Sequence, residues 1–207
     1  MHTAERVAVP SGNVVTAGDV KISDLDNNSL IIRLHYAVNH LSRWLTPVHD
    51  KTKLTRSLRR GEPSIKELVL RMRNEELLRF PMIHMIVNAN NPDLDKLPPF
   101  AVSAVQRADD EQSNALEVMA EFRRLRQSTC AMLRSLPDSG WRRVGTSRRE
   151  HDWQIRSLAE HLANHDLDVL YEIDVTLDRI GAREGVSTAA KAHLDELLRL
   201  VPVTVKK

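Results

Sequence analysis

Four stretches of this chain carry apolar residues at a helical period, and the segments between them show no clear strand pattern. In the first, from about Asn28 to Leu45, Leu30, Leu34, Val38, Leu41 and Leu45 fall on one helical face, and Pro47 stops the run. The second opens at Ser64, with Glu67 three residues on to complete a capping box, and carries Leu68, Met72 and Leu78. Pro81 is expected to kink or interrupt it. The third covers about Asp110 to Leu136, with Leu116, Met119, Phe122, Leu125, Cys130, Leu133 and Leu136 on its stripe. The fourth starts near Asp152 as a plausible cap and ends at Gly181, a residue suited to the position after a helix. Ser187 caps a last, shorter helix, Thr188–Leu200, which Pro202 closes.

A helix striped on one side must bury that stripe against others, so the expected fold is all-α: an up-down antiparallel four-helix bundle. Residues 1–27 form an N-terminal arm or a short hairpin at Val7–Val15, residues 28–181 the bundle, and residues 182–207 a C-terminal helix and tail. At 207 residues the chain is long enough for a substantial core.

Composition excludes more than it selects. A formal charge of +2 is too small for a nucleic-acid-binding domain, although arginines cluster at Arg56–Arg60, Arg123–Arg126 and Arg142–Arg149. Acidic residues separate those clusters, so nucleic acid is a disfavoured partner. Cys130 is the single cysteine, which rules out a disulfide framework and a thiolate cage; its helical setting points to a buried, inert thiol. No apolar run reaches the roughly 18 residues of a membrane span, and no basic-then-apolar leader pattern is present, so a cytoplasmic location is expected. Nucleotide-binding glycine loops and a nucleophile elbow are also missing.

Chemistry concentrates in the fourth stripe, in EHLANHDLDVLYEI, Glu160–Ile173. His161 and His165 lie four apart, on one helix face, at a spacing that suits a shared metal ion. A helical wheel puts Leu158, Leu162, Val169, Ile173 and Ile180 on the core face, His165 near its centre and largely buried, and His161 at the flank, half exposed. Any metal needs further ligands, and Glu75, Glu76, Asp168, His84, His35 and His40 are the available candidates.

The ordered motifs PSIKELVLRMRNEE, NPDLDKLPPF, EFRRLRQSTCAMLRSLPDSGWRRVG and IRSLAEHLANHDLDVLYEI resemble the DinB-like superfamily of four-helix bundles, over about Leu54 to Ile180. That resemblance implies one divalent metal, zinc or nickel, held by a histidine in the second helix and an H-D-x-x-H pair in the last, with thiol-dependent transferase chemistry in some members. Aligned on those motifs, this chain has Arg71 at the second-helix histidine, His165 and Asp166 at the start of the late pair, and Val169 where its second histidine would stand. The resemblance therefore implies an incomplete triad, with no metal cofactor as the primary expectation and zinc or nickel as the alternative.

Arg71 suggests a site reorganised around an Arg71–carboxylate pair with Glu76 or Glu75, with His165 hydrogen-bonded nearby and a small molecule or anion in the inter-helix pocket. A plainer reading has Arg71 reach solvent and pair with Glu75 one turn on. The function expected is that of a non-catalytic or small-ligand-binding, stress-associated relative, in a possible homodimer. The alternative is a divalent-metal-dependent thiol transferase or hydrolase with His165 and His161 as metal ligands and Glu76 in support.

Overall fold

The computed structural model describes residues 14–206. Its frame is four long helices: α1 (Asn27–Leu45), α2 (Ile65–Asn88), α4 (Ala115–Arg134) and α5 (Ile155–Arg179), with the short α3 (Ala104–Gln112) leading into α4. The all-α bundle expected from the stripes is present, with a refinement of its path. Both α1 and α2 pack against α4 and α5. Arg123 meets Ser42 while Arg126 meets Leu34, so α1 and α4 are antiparallel. Arg73 meets Glu121 while Arg126 meets Glu76, so α2 and α4 run parallel. The direction is therefore up, down, down, up, and the long connections on either side of α2 carry the chain across the bundle.

Local chemistry sets the helix ends. Ser64 accepts from the Glu67 N–H at 3.2 Å while the Glu67 carboxylate accepts from the Ser64 N–H at 2.6 Å, closing the expected capping box. Pro81 sits inside α2 without ending it. The third stripe is not one helix: Asn114 forms its own capping box with Glu117, so α3 and α4 are separate and meet at a corner. The fourth helix starts at Ile155, three residues beyond Asp152, which instead accepts from the Ser147 N–H. Gly181 follows it at φ 62°, a conformation that glycine adopts without strain.

The C-terminal helix also divides, into α6 (Thr188–Lys191) and α7 (Leu194–Arg199). Extended Ala192 interrupts it, its carbonyl accepting from Trp44 Nε1 at 2.9 Å, while the Leu194 N–H is capped by Asp174 at 2.9 Å. Of the hairpin expected at Val7–Val15, residues 7–13 lie outside the described residues. What is seen is β1 (Val14–Thr16) paired antiparallel with β4 (Pro202–Thr204), which joins segments far apart in sequence. A second small ladder, β2 (Val144–Gly145) with β3 (Trp153–Gln154), ties off the loop before α5. None of the helices in the described residues is long and apolar enough to cross a membrane.

The core fills both halves of the bundle, and one polar ring lies within it. His40 on α1 is buried between Tyr36 and Trp44, ring centroids 5.8 and 6.3 Å away, with Nε2 unpartnered. Burial, assisted by Arg33 and Arg43, lowers its pKa from 6.5 to about 3. Between those values the unfolded chain binds the proton and the folded chain does not, so stability falls as pH drops below 6.5. The slope from this group reaches about 1.4 kcal/mol per pH unit. Denaturant titrations from pH 6.5 to 4.5 are expected to show that slope as the difference between the wild type and His40→Phe.

Candidate functional site

One buried guanidinium joins all four long helices. Arg126 on α4 donates to Glu76 on α2 at 2.9 Å, to both carboxylate oxygens of Asp166 on α5, and to the Leu34 carbonyl on α1 at 3.0 Å. Thr129, one turn on, donates its hydroxyl to the other oxygen of Glu76. Arg126 is 1% exposed and Glu76 fully buried. Its two carboxylates outweigh the burial that opposes charge and push the Arg126 pKa up. The group is fully satisfied and closed to solvent, which is the pattern of a structural node and not of a reactive site.

This placement corrects two expectations. Glu76 does not meet Arg71 or His165; it faces the interior. His165 is not at the centre of the core stripe of α5, where Asp166 lies. Leu162, Asp166, Val169 and Ile173 are all buried and spaced by four, three and four residues, so Asp166 takes the core position and His165 turns to the edge, half-buried.

The predicted site residues gather instead along the seam between α2 and α5. Arg71 forms an ion pair with Glu172 at 2.6 Å, both half-exposed, and thus with neither Glu75 nor Glu76. Glu75 accepts from Arg79 at 2.8 Å, and its same oxygen lies 2.8 Å from His161 Nε2. The hydrogen bond to His161, with Arg79 beside it, lowers the Glu75 pKa to about 2 in spite of burial. Arg79 lies over the Trp153 ring, 4.8 Å from its centroid, and the edge of that ring meets His161 at 5.6 Å. No hydrogen bond forms at His165 Nδ1, which is buried; burial lowers its pKa, helped by Arg71 and His161 and opposed by Asp166 and Glu75.

Sequence reasoning missed Arg79, Trp153 and Glu172 in the seam, and Arg126 and Asp166 in the interior. The seam had a usable signal, since Glu75 and Arg79 stand four apart on one helix face. Cys130 is buried, and burial raises its thiol pKa to about 11, which leaves it poorly nucleophilic. Among the described residues no three His, Cys, Asp or Glu side chains converge to hold a metal ion.

An open cleft of about 590 Å³ adjoins the seam. Leu77, Leu78, Pro81 and Met82 of α2 form its floor, Leu97–Ala101 one wall, and Ser147–Glu150 part of its rim. A shallower extension bounded by Leu78 and Phe100 continues to Arg71 and Glu75.

No family model matches the chain, and no curated protein matches it in sequence. Among solved structures, YfiT from Bacillus subtilis, described as a probable metal-dependent hydrolase with an unusual four-helix bundle topology, superposes with a TM-score of 0.62. The identity is 15%, over 75% of this chain and 87% of that one. At this identity the likeness establishes the fold: a YfiT-like four-helix bundle.

Removing Arg126 alone strands two buried carboxylates. Arg126→Met is expected to lose about 3–5 kcal/mol in urea unfolding, and the triple replacement Arg126→Met/Glu76→Leu/Asp166→Leu to recover most of that loss.

Proposed function

We propose that this chain is a small-molecule-binding protein on a YfiT-like bundle, with a degenerate metal site whose seam is organised by ion pairs. The observation that carries this reading is the presence of two guanidiniums where ligands for a cation would be needed. Arg71 occupies the seam with Glu172, and Arg79 shares the Glu75 oxygen that faces His161. A divalent ion placed there would meet two permanent positive charges and would compete with them for the two carboxylates, Glu75 and Glu172. With Val169 offering no donor, the residues present do not fit a zinc or nickel site, and no catalytic step is assigned to one.

The polar groups of the seam are mostly satisfied by one another, while the cleft beside it is open and chiefly apolar. Its volume falls in the range, roughly 300–1,000 Å³, in which proteins bind small organic ligands. Binding without turnover is in keeping with the buried, poorly nucleophilic thiol of Cys130. The stress-associated role, and a homodimer formed through the wide apolar faces of the bundle, remain parts of this proposal.

A second reading has one specific observation in its favour. His165 Nδ1 is buried and unpaired, and the charges of Glu75 and His161, which are hydrogen-bonded to each other, act on it. That is the nucleus of the divalent-metal-dependent hydrolase or thiol transferase alternative, with the metal acting as Lewis acid on a bound water or thiol.

Metal titration separates the two. Protein purified without an affinity tag is expected to carry less than 0.1 equivalent of zinc or nickel by elemental analysis, a threshold of roughly one-tenth occupancy of a single site, and neither ion should raise its Tm. One retained equivalent that is lost in His165→Ala would establish the metal reading instead.

A further inference from the structure

Six arginines are buried among the described residues, and five of them have carboxylate partners. Arg73 meets Asp110 and Glu121, Arg79 meets Glu75, and Arg126 meets Glu76 and Asp166. Arg156 meets Glu160, and Arg183 meets Asp174. The sixth, Arg33 on α1, is only 5% exposed, yet no group among the described residues bonds to its guanidinium. Asp166 and Tyr171 act on it through charge alone. Asp166 already gives both oxygens to Arg126, and the Tyr171 hydroxyl donates to Asp195 at 2.6 Å. Burial therefore prevails and lowers the Arg33 pKa, whereas at Arg73 and Arg126 burial is outweighed by the carboxylates and the pKa rises.

An unpaired buried cation is costly, and this one lies where a ligand can pair it. None of the Arg33 nitrogens is closed off, and the residue lines a pocket of about 380 Å³ between α1, α5 and the loop of residues 17–23. The pocket shares no residue with the cleft or its extension, and no acidic side chain lines it. Val20, Ile22 and Leu167 give it an apolar side, while Lys21, Ser23 and Asn164 are exposed, polar parts of its lining.

The carboxylates nearby in sequence have partners of their own. Asp19 accepts from the Thr16 hydroxyl, Asp24 from Ser23 Oγ at 3.1 Å, and Glu160 from Arg156 at 2.6 Å. The loop is pinned as well, so the pocket is formed before any ligand arrives. The Ala17 N–H donates to the Val201 carbonyl at 3.0 Å, and Lys206 Nζ donates to the Ser23 carbonyl at 2.8 Å.

We infer that this pocket is a second binding site, for a small organic carboxylate whose oxygens dock on the Arg33 guanidinium and whose apolar part packs on Val20, Ile22 and Leu167. A guanidinium presents a planar fork that two carboxylate oxygens match. Arg33 supplies one positive charge at depth, which one carboxylate balances. A phosphate dianion would bring a second negative charge, whose only counterpart in the lining is the exposed Lys21. The volume, near the lower end of the range for ligand pockets, keeps the body of the ligand short. This site is independent of the cleft, and its failure would leave the reading of the cleft untouched.

The test uses the full chain at pH 7 with benzoate as the probe, its uncharged methyl ester as the control and inorganic phosphate as the competing anion. Wild type is expected to bind benzoate in calorimetric titration and to gain Tm as benzoate is added. The ester should bind at least tenfold more weakly, and phosphate should not displace benzoate. Arg33→Met is expected to weaken benzoate binding at least tenfold and to abolish the gain in Tm. Asn164→Asp, which sets a negative charge in the lining at an exposed position, is expected to weaken binding several-fold with the ligand-free Tm unchanged. Where Arg33→Met does not fold, Asn164→Asp carries the test.

No binding of benzoate by wild type, or unchanged binding in Arg33→Met or Asn164→Asp, would overturn the site. Equal binding of the ester would overturn the contact with the guanidinium. Phosphate bound in preference to benzoate would overturn the assignment to a carboxylate.

Discussion

The bundle depends on one cation. Arg126 reaches α1, α2 and α5 from α4, so the four long helices share a single buried point of reference. Apolar stripes alone tolerate sliding and rotation, because a leucine packs nearly as well one position over. A guanidinium has a fixed fork of donors and must meet carboxylates at set angles. The arrangement holds two carboxylates against that one charge, and buried Arg33 lies close enough to Asp166 for its charge to be felt there as well. Such clusters add little net stability, since desolvation offsets attraction. Their effect here is to make a misaligned bundle costly.

How much of this could be read in the chain varies by feature. The four stripes, the Ser64 capping box and the glycine after α5 followed from local chemistry, because helix formation and capping involve residues a few positions apart. The corner at Asn114 was equally local: Asn114 and Glu117 form a second capping box, which the continuous stripe concealed. The interior node was harder. In α4, Ala115, Met119, Phe122, Arg126, Thr129 and Leu133 are spaced alternately four and three residues apart, a core seam with two polar members. Glu76 and Asp166 hold the same kind of position on α2 and α5. Reading only apolar residues as core leaves gaps in three helices, and those gaps are the places where the charges meet. What no local rule supplies is that the three gaps lie at one height.

The same limit explains the fate of the paired histidines. Two imidazoles four apart on a helix describe half of a binding geometry, and the other half belongs to α2, whose register the node determines. With Glu76 turned inward, Arg71, Glu75 and Arg79 point along the seam, Leu77 and Pro81 toward the cleft, and Arg73 toward Asp110 of α3 and Glu121 of α4. One helix thus serves four environments, and its neighbours decide which chemistry each residue performs.

The pairing of β1 with β4 closes the segment from Val14 to Thr204 into a ring in all but the covalent sense, with consequences for how it bears load. Val14 lies opposite Thr204 and Thr16 opposite Pro202, so the chain arrives and departs at the same end of the ladder. Tension applied through the two ends would part the strands one rung at a time, as a zipper opens, instead of shearing all rungs together. Behind that ladder Val201 and Val203 are buried against Ile22 and Leu25. A pull arriving through Val14 would therefore act first on this seal, whereas one through Lys206 must first break the Val205–Leu25 bridge and the bond from the Lys206 N–H to the Asp24 carbonyl.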